Sequence, residues 1–167
     1  MRRRRRPLRA IACLLLCGAA LLAACGSDPA PATDPAPSGG TTLARITTAT
    51  GTTVTIDVEV ADEPAERERG LMGRTELADG EGMVFLFGGP TTVSFWMKDT
   101  LIPLSIAFWN AQGRIIAILD MPPCAADPCP AYAPGLPYVG AIEVPRGFFI
   151  ERGVATGDPI VLESVED

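Results

Sequence analysis

The sequence contains no histidine, and a single lysine, Lys98, stands among its 14 basic residues. The absence of histidine excludes catalytic triads with a histidine base and metal sites with imidazole ligands. The glycines form no phosphate-binding loop. A Ser–Lys dyad would pair Ser94 or Ser105 with Lys98, but the Ser94–Lys98 spacing differs from the SxxK arrangement of known enzymes. These absences leave few enzyme classes open.

The N-terminus has the pattern of a bacterial export signal. Six arginines within the first nine positions precede an uncharged, mostly apolar run at 11–24. The run is shorter than the roughly 20 apolar residues of a membrane span, and it is typical of a signal peptide. It leads into the motif LAAC, which resembles the lipobox of bacterial lipoproteins. The resemblance implies that residues 1–24 are a lipoprotein signal peptide and that Cys25 is lipidated. An ordinary signal with an incidental cysteine is the alternative.

Residues 25–42 are predicted to link the lipidated Cys25 to the folded domain. After Cys25 the segment reads GSDPAPATDPAPSGGTT, with no aromatic or large aliphatic side chain. Such a segment has too little apolar surface to offset its ordering entropy, so we expect a disordered Pro/Ala/Gly tether. The protein would then be exported and anchored to a bacterial membrane, facing the periplasm or the extracellular side. The signal leaves the Sec and twin-arginine export routes both open.

The charge of the chain is strongly negative beyond the predicted signal. The eight basic residues that remain after position 24 stand against twenty acidic ones, a net charge of −12. This balance argues against nucleic acid as a partner, because phosphates must be neutralised by basic patches. It also argues against electrostatic docking on anionic lipid. The expected partners are the membrane, through the lipid on Cys25, and a small anionic ligand or an envelope protein. No cofactor is predicted.

Residues 43–167 are long enough for a single globular domain with its own core. The clearest pattern is an alternation in which every second residue of 54–60 is a valine or isoleucine, which predicts a strand with one buried face. It is expected to form a hairpin with Leu43–Thr48. One principal helix is predicted at about 63–72, because Asp62 can cap it and Pro64 is tolerated in its first turn.

The rest of the domain alternates short apolar runs with turn residues. Further strands are predicted at 82–87, 93–97, 104–110, 114–121, 138–144 and 160–162, and a short second helix at 146–152. The loop at 111–113 is suited to a hairpin. About seven or eight short strands with one principal helix predict an α+β, mainly β domain. Its architecture would be a small barrel or a curled antiparallel or mixed sheet.

The two cysteines of the domain, Cys124 and Cys129, lie in the proline-rich stretch PPCAADPCPAY. Thiols tend to oxidise outside the cytoplasm, so we predict a structural disulfide between them. Their spacing differs from that of a CxxC redox motif. Two thiolates without a nearby histidine also make a poor zinc site, and no metal is predicted.

A candidate site is suggested by polar residues that stand beside apolar runs: Arg74, Trp96, Lys98, Asp99 and Glu143. If strand ends meet at a barrel mouth, these side chains could gather there as a binding site. Within it, Lys98 would be partly enclosed and paired with the carboxylate of Glu143 or Asp99, because a charge that loses water needs a partner. Solvated surface ion pairs are the alternative. No catalytic residue is assigned.

Six segments resemble the domain-of-unknown-function 192 family over nearly all of 53–163: ERERGLMGRTEL, GMVFLF, FWMKDTLIPLSIAF, GRIIAI, YVGAIEVPRGFF and GVATGDPIVL. The resemblance implies a compact β-rich domain with a helix packed on it, and it brings no established activity. Two positions depart from the family pattern. Asp99 stands where the family commonly has asparagine, and Ser105 where it commonly has aspartate. If that aspartate is a catalytic base in relatives, this chain lacks it.

The sequence therefore favours a membrane-tethered cell-envelope lipoprotein with a non-enzymatic binding or accessory domain. One alternative is an enzyme that acts on an anionic envelope ligand held by Lys98 and Arg74. Another is a structural protein–protein interaction module. A ligand-binding domain or an enzyme should have a concave pocket lined by Lys98 or Arg74. An interaction module should instead expose an apolar patch.

Overall fold

The computed structural model describes residues 42–164, so the predicted signal peptide, Cys25 and the segment before Thr42 lie outside the described residues. The described part contains nine strands and two short helices. In chain order they are β1 (Thr42–Thr47), β2 (Thr53–Ala61), α1 (Pro64–Arg69), β3 (Glu81–Thr91), β4 (Phe95–Trp96), β5 (Leu104–Trp109), β6 (Ile115–Met121), β7 (Ala131–Tyr132), β8 (Tyr138–Pro145), α2 (Phe148–Glu151) and β9 (Ile160–Ser164).

Seven strands form one curled sheet in the order β6-β5-β8-β3-β2-β1-β9. β2 and β3 run parallel, and the other neighbours are antiparallel. The two ends of the sheet approach each other. The Ile160 N–H donates a hydrogen bond of 2.9 Å to the Gly113 carbonyl, and the Ile115 N–H donates one of 3.0 Å to the Asp158 carbonyl. The predicted α+β, mainly β domain with a mixed sheet is confirmed as a curled half-barrel.

The sheet separates two hydrophobic clusters. Ile56, Ile142 and the α2 residues Phe148 and Phe149 belong to the first. Phe85 and Met97 belong to the second, on the side of α1 and β4. Successive side chains of a strand point to opposite faces, so each central strand contributes to both clusters. The second cluster is the one that borders the candidate site.

Helix α1 begins at Pro64 with Glu63 at its N-cap position, instead of the predicted Asp62, and it ends earlier than predicted. The Glu66 carboxylate accepts hydrogen bonds from the main-chain N–H groups of Asp62 and Glu63, at 3.3 and 3.2 Å, which satisfies donors that the helix leaves free. The helix stops at Arg69 rather than at residue 72. The cause is Gly70, whose φ of 47° and ψ of −132° suit glycine alone. The chain turns there and buries Leu71 in the second cluster.

Other elements also differ from the prediction. The second helix spans Phe148–Glu151 instead of 146–152, and the strand predicted at 93–97 is reduced to β4. β4 pairs with β7, a two-residue strand that was not predicted, through Phe95 opposite Tyr132 and Trp96 opposite Ala131. This small second sheet holds the β4 segment beside the main sheet.

The predicted cysteine pair lies in the loop before β7. The Sγ atoms of Cys124 and Cys129 are 2.09 Å apart, at disulfide distance, as predicted. Asp127 lies close enough to make a potential metal cluster with the two cysteines. Because the two sulfurs are bonded to each other, they supply no thiolate ligand. Within residues 42–164, no helix has the length and hydropathy needed to cross a bilayer.

Candidate functional site

A pocket of about 450 Å³ opens between α1 with its following turn and the segment that carries β4. The backbone at Gly70 turns the chain so that α1 and Leu71 form one wall. Residues 93–96 and Thr100 form the opposite wall, and β3 and β8 contribute the floor. The lining residues are Pro64, Arg67, Glu68, Arg69, Gly70, Leu71, Met72, Phe85, Phe87, Val93, Ser94, Phe95, Trp96, Thr100 and Glu143.

Aromatic rings form the apolar part of the pocket and support it from behind. Phe85 and Phe95 meet edge to face with centroids 4.9 Å apart, and Phe95 meets Phe108 at 5.6 Å. Tyr138 packs edge-on against Phe108 at 4.9 Å and against Phe87 at 5.4 Å. Edge-to-face contacts of this kind stabilise a fixed arrangement of rings beyond their buried area. The pocket wall is therefore set by packing within the fold.

A hydrogen bond fixes one edge of the pocket. The buried Tyr138 hydroxyl donates to the main-chain carbonyl of Val93 at 2.6 Å. Burial raises the pKa of Tyr138 to about 12, so the hydroxyl keeps its proton and remains a donor throughout the neutral range. Val93 and the adjacent Ser94 are thereby held at the pocket mouth, where both line the opening.

Glu143 is the buried polar group of the pocket floor. It lies on β8, opposite Met83 of β3 and Ile106 of β5, and is only 5% exposed. Its neighbours Ile142 and Val144 point into the first cluster, so Glu143 points to the opposite face, as the sequence suggested. Among residues 42–164, no group donates a hydrogen bond to its carboxylate. Since no fully buried side-chain oxygen of the described residues lacks a partner, the carboxyl oxygens of Glu143 reach the accessible space of the pocket.

The electrostatic consequence is a carboxyl group that favours its neutral form. Burial raises the pKa of Glu143 to about 8, because the carboxylate loses its hydration and gains no compensating charge. At pH 7 most molecules therefore carry an uncharged carboxylic acid at this position. It presents one O–H donor and free acceptor capacity toward the pocket.

Gly82 explains how β3 can lie so close to this residue. A Cβ atom at Gly82 would stand 2.6 Å from the Glu143 carbonyl oxygen, far inside contact distance. Only glycine allows the two strands to approach here. The glycine that begins the GMVFLF segment thus positions the strand that carries the floor of the pocket.

The charged groups at the pocket mouth all come from α1. The Arg67 guanidinium donates to the main-chain carbonyls of Asp62 and Leu86, the latter at 3.0 Å, and lies 5.3 Å from the centre of the Phe87 ring. Glu68 and Arg69 line the opening beside it. Arg67 is therefore largely committed to holding α1 against β3.

The predicted pairing of Lys98 with a carboxylate is wrong. Lys98 is exposed, and within the described part of the chain no carboxylate oxygen lies within 4 Å of its Nζ. Its ammonium instead lies 5.5 Å from the centre of the Trp96 ring. The physical reason is the alternation of the chain: Met97 takes the buried position, so its neighbour faces outward.

Asp99 and Arg74 also lie apart from Glu143. Asp99 is an exposed turn residue with a φ of 54°, and its carbonyl accepts a hydrogen bond of 2.8 Å from the Gly73 N–H. Asparagine and aspartate both tolerate this left-handed conformation, which accounts for their exchange at this position. Arg74 forms an ion pair with Glu59 of β2 and does not line the pocket.

Of the five predicted site residues, the structure thus brings only Trp96 and Glu143 to one pocket. Trp96 is half exposed and lines the mouth. The sequence reasoning missed Arg67, Phe85 and Phe95. The two phenylalanines lie in apolar runs that carry no signal distinguishing a pocket wall from ordinary core.

Comparisons with known proteins agree with this fold. The sequence profile of DUF192, described as "Uncharacterized ACR", matches residues 45–162. The chain belongs to the DUF192 family. This confirms the resemblance seen in the sequence. A comparison with curated proteins found no match.

Two solved structures resemble this DUF192 chain. One is a proposed transcription regulator from Sinorhizobium meliloti 1021, with 32% identity and a TM-score of 0.66, covering 74% of this chain and 95% of that one. The other is a protein of unknown function from Novosphingobium aromaticivorans DSM 12444, with 31% identity and a TM-score of 0.68, covering 80% and 93%. The DUF192 fold is thus shared, and no activity comes with it.

Proposed function

We propose that this DUF192 protein is an exported, lipid-anchored protein of the cell envelope whose domain binds a small, largely apolar ligand in the Glu143 pocket. The binding role rests on one observation: Glu143 is a buried carboxyl without a hydrogen-bond donor, and it faces a pocket. The lipid anchor rests on the LAAC motif that ends at Cys25.

Holding Glu143 in the pocket floor costs the free protein stability, because the carboxyl loses much of its hydration and gains no hydrogen-bond donor from the described residues. An apolar side chain at position 143 would avoid this cost in the free protein. A ligand that hydrogen-bonds to the carboxyl offsets the cost only when it is bound. A carboxyl with a perturbed pKa in an apolar cleft is therefore a strong indicator of a binding site.

The dimensions and lining of the pocket also fit a small ligand. Its volume of about 450 Å³ lies within the range of small-molecule sites, roughly 300–1,000 Å³. Such sites combine mostly apolar walls with a few polar groups that fix orientation. Here Phe85, Phe95 and Trp96 supply the walls, and Glu143 and Thr100 supply buried polar groups.

Binding is better supported than the enzymatic alternative, because Lys98 and Arg74, which were to hold an anionic substrate, both lie outside the pocket. The transcription-related name of one structural neighbour finds no support in this chain. Its net charge of −6, or −12 beyond the predicted signal, opposes contact with nucleic acid.

A titration with an uncharged probe tests the binding role. The mature protein, isolated from membranes in phosphatidylcholine nanodiscs, is titrated with 3-phenyl-1-propanol while tryptophan fluorescence is followed, to which Trp96 and the buried Trp109 both contribute. We expect a saturable change, because Trp96 lines the mouth. Ser94→Phe fills the mouth and should abolish it. Thr92→Phe adds the same ring two residues away, at an exposed position outside the lining, and should preserve it.

A wild-type signal that matches empty nanodiscs, or an unchanged signal in Ser94→Phe, would overturn the binding role. The anchor is tested separately by the intact mass of the membrane-bound protein. We expect a chain that begins at Cys25 and carries acyl groups. A mature mass without acyl chains, from a host that processes lipoproteins, would contradict it.

A further inference from the structure

We propose that the ligand of this pocket is a small organic cation, an ammonium group on an apolar body, and that the ammonium binds the Glu143 carboxylate. The inference rests on the proposed binding function and names the chemical class of the ligand. The proposed ligand is a cation, whereas the sequence suggested an anion held by Lys98 and Arg74.

The first support is the position of Glu143. Its side chain is 95% buried on the central strand β8, it lines the pocket, and no described residue donates a hydrogen bond to it. A ligand ammonium supplies both the opposite charge and the N–H donors that this carboxylate lacks. Charge-assisted hydrogen bonds are about twice as strong as neutral ones. The cost of ionisation is small, because a pKa of about 8 reduces affinity only about tenfold at pH 7.

The second support is the composition of the walls. Four aromatic side chains line the pocket: Phe85, Phe87, Phe95 and Trp96. The faces of aromatic rings attract cations, and tryptophan does so most strongly. Two of these rings already lie beside a cation of the chain itself, since Lys98 is 5.5 Å from the Trp96 ring and Arg67 is 5.3 Å from the Phe87 ring.

The third support is the apolar surrounding of Glu143 within the sheet. The charged groups that share the pocket with it, Arg67, Glu68 and Arg69 of α1, carry a net charge of +1 and do not themselves favour a cation. The neighbouring positions on β3 and β5, Met83 and Ile106, are apolar. The α1 groups lie at the solvent-facing mouth, where salt screens them. The strongly acidic domain as a whole also attracts cations.

An anionic ligand fits the pocket poorly. Its charge would have to enter a low-dielectric site beside a carboxyl that ionises near neutral pH. Once Glu143 is ionised, above its pKa of about 8, the two like charges would repel each other. An uncharged ligand with a hydrogen-bonding end is the remaining alternative, and it is an outcome of the test.

The test compares three probes with the same phenylpropyl body: 3-phenylpropylamine, 3-phenyl-1-propanol and 3-phenylpropionate. Tryptophan fluorescence, to which Trp96 and the buried Trp109 both contribute, reports binding to the mature protein in phosphatidylcholine nanodiscs, at pH 6 and pH 8.5. The amine remains protonated over this range. We expect its affinity to rise more than tenfold from pH 6 to pH 8.5, as Glu143 ionises. The alcohol should show no such rise, and the propionate should bind most weakly.

Two variants localise the effect. Glu143→Gln keeps the size of the side chain but removes its charge, so it should abolish both the preference for the amine and its pH dependence while the alcohol still binds. Glu76→Gln removes an exposed acid outside the pocket lining and should preserve the preference.

If the alcohol binds to the wild type as tightly as the amine at pH 8.5, or if Glu143→Gln keeps the preference, the cation proposal is overturned while the binding function stands. If no probe produces a saturable change, both are overturned.

Discussion

The Ser105 hydroxyl donates a hydrogen bond of 2.6 Å to Oδ1 of Asp120, the residue opposite it on the neighbouring strand. The Ser105 hydroxyl oxygen also accepts a hydrogen bond of 3.0 Å from the Gly147 N–H, just before α2. The family pattern commonly has aspartate at position 105. In this chain the carboxylate stands instead on the neighbouring strand, at Asp120. Ser105 and Asp120 do not line the pocket, so their network has a structural role in seating α2.

This relationship predicts the effect of restoring the family residue. Ser105→Asp should place two carboxylates opposite each other on β5 and β6, where like charges destabilise a strand pair. Since position 105 is also buried, we expect a loss of about 1–3 kcal/mol. Exchanging the two residues, by Ser105→Asp with Asp120→Ser, should recover most of it. Urea unfolding of the wild type, Ser105→Asp and the double variant measures these differences in stability. A Ser105→Asp protein as stable as the wild type would contradict the prediction.

The buried carboxyl of Glu143 predicts a pH-dependent stability. Its pKa is raised to about 8 in the folded protein, while an unfolded chain has the ordinary value of about 4.3. Between these values the folded state holds a proton that the unfolded state has lost. The contribution of Glu143 to the free energy of unfolding is therefore largest below about pH 4.3, and it falls as the pH rises toward 8. The slope approaches about 1.4 kcal/mol per pH unit.

Other titrating groups contribute to the same curve, so the comparison is made with Glu143→Gln. The free energy of unfolding of the wild type, relative to that of the variant, should fall by a few kcal/mol between pH 5 and pH 8. Urea unfolding at several pH values measures it. Parallel curves for the two proteins would show that Glu143 titrates normally in the fold.

The contact between β8 and β5 predicts a strict need for glycine at position 140. A Cβ atom there would lie 2.1 Å from Cζ2 of Trp109, whose ring belongs to the first core cluster. Gly140→Ala should therefore cost about 1–3 kcal/mol through overpacking. Gly88→Ala serves as the control, because a Cβ atom at Gly88 meets nothing within 4 Å, and it should change stability by less than about 0.5 kcal/mol. Equal thermal midpoints for both variants would contradict the register of these strands.

Much of the fold could be predicted because the strand signals are local. The alternation of valine and isoleucine in β2 and the turn residues at 111–113 gave two hairpins that the structure confirms. The end of α1 was missed because the glycine-only geometry of Gly70 is imposed by packing against Phe85. β7 was missed because a strand of two residues in a proline-rich loop has no periodicity to detect.

The site was harder to predict, because it depends on contacts between distant segments. Glu143 was identified correctly as a polar residue on the face opposite Ile142 and Val144. The predicted pairing of Glu143 with Lys98 was wrong. The apolar run before Lys98 suggested that the lysine side chain would be enclosed, whereas Met97 fills the interior and Lys98 lies against Trp96. No local pattern shows that Phe85 and Phe95 border a pocket.

The most direct test of the central claim is the titration of Glu143 itself. The carboxyl carbon of this residue can be followed by NMR in ¹³C-glutamate-labelled mature protein, with Glu143→Gln to assign the signal. The account predicts a pKa of about 8 in the free protein and a lower value when 3-phenylpropylamine is bound. A carboxyl that titrates near its ordinary value of about 4.3 and does not respond to any of the three probes would contradict it.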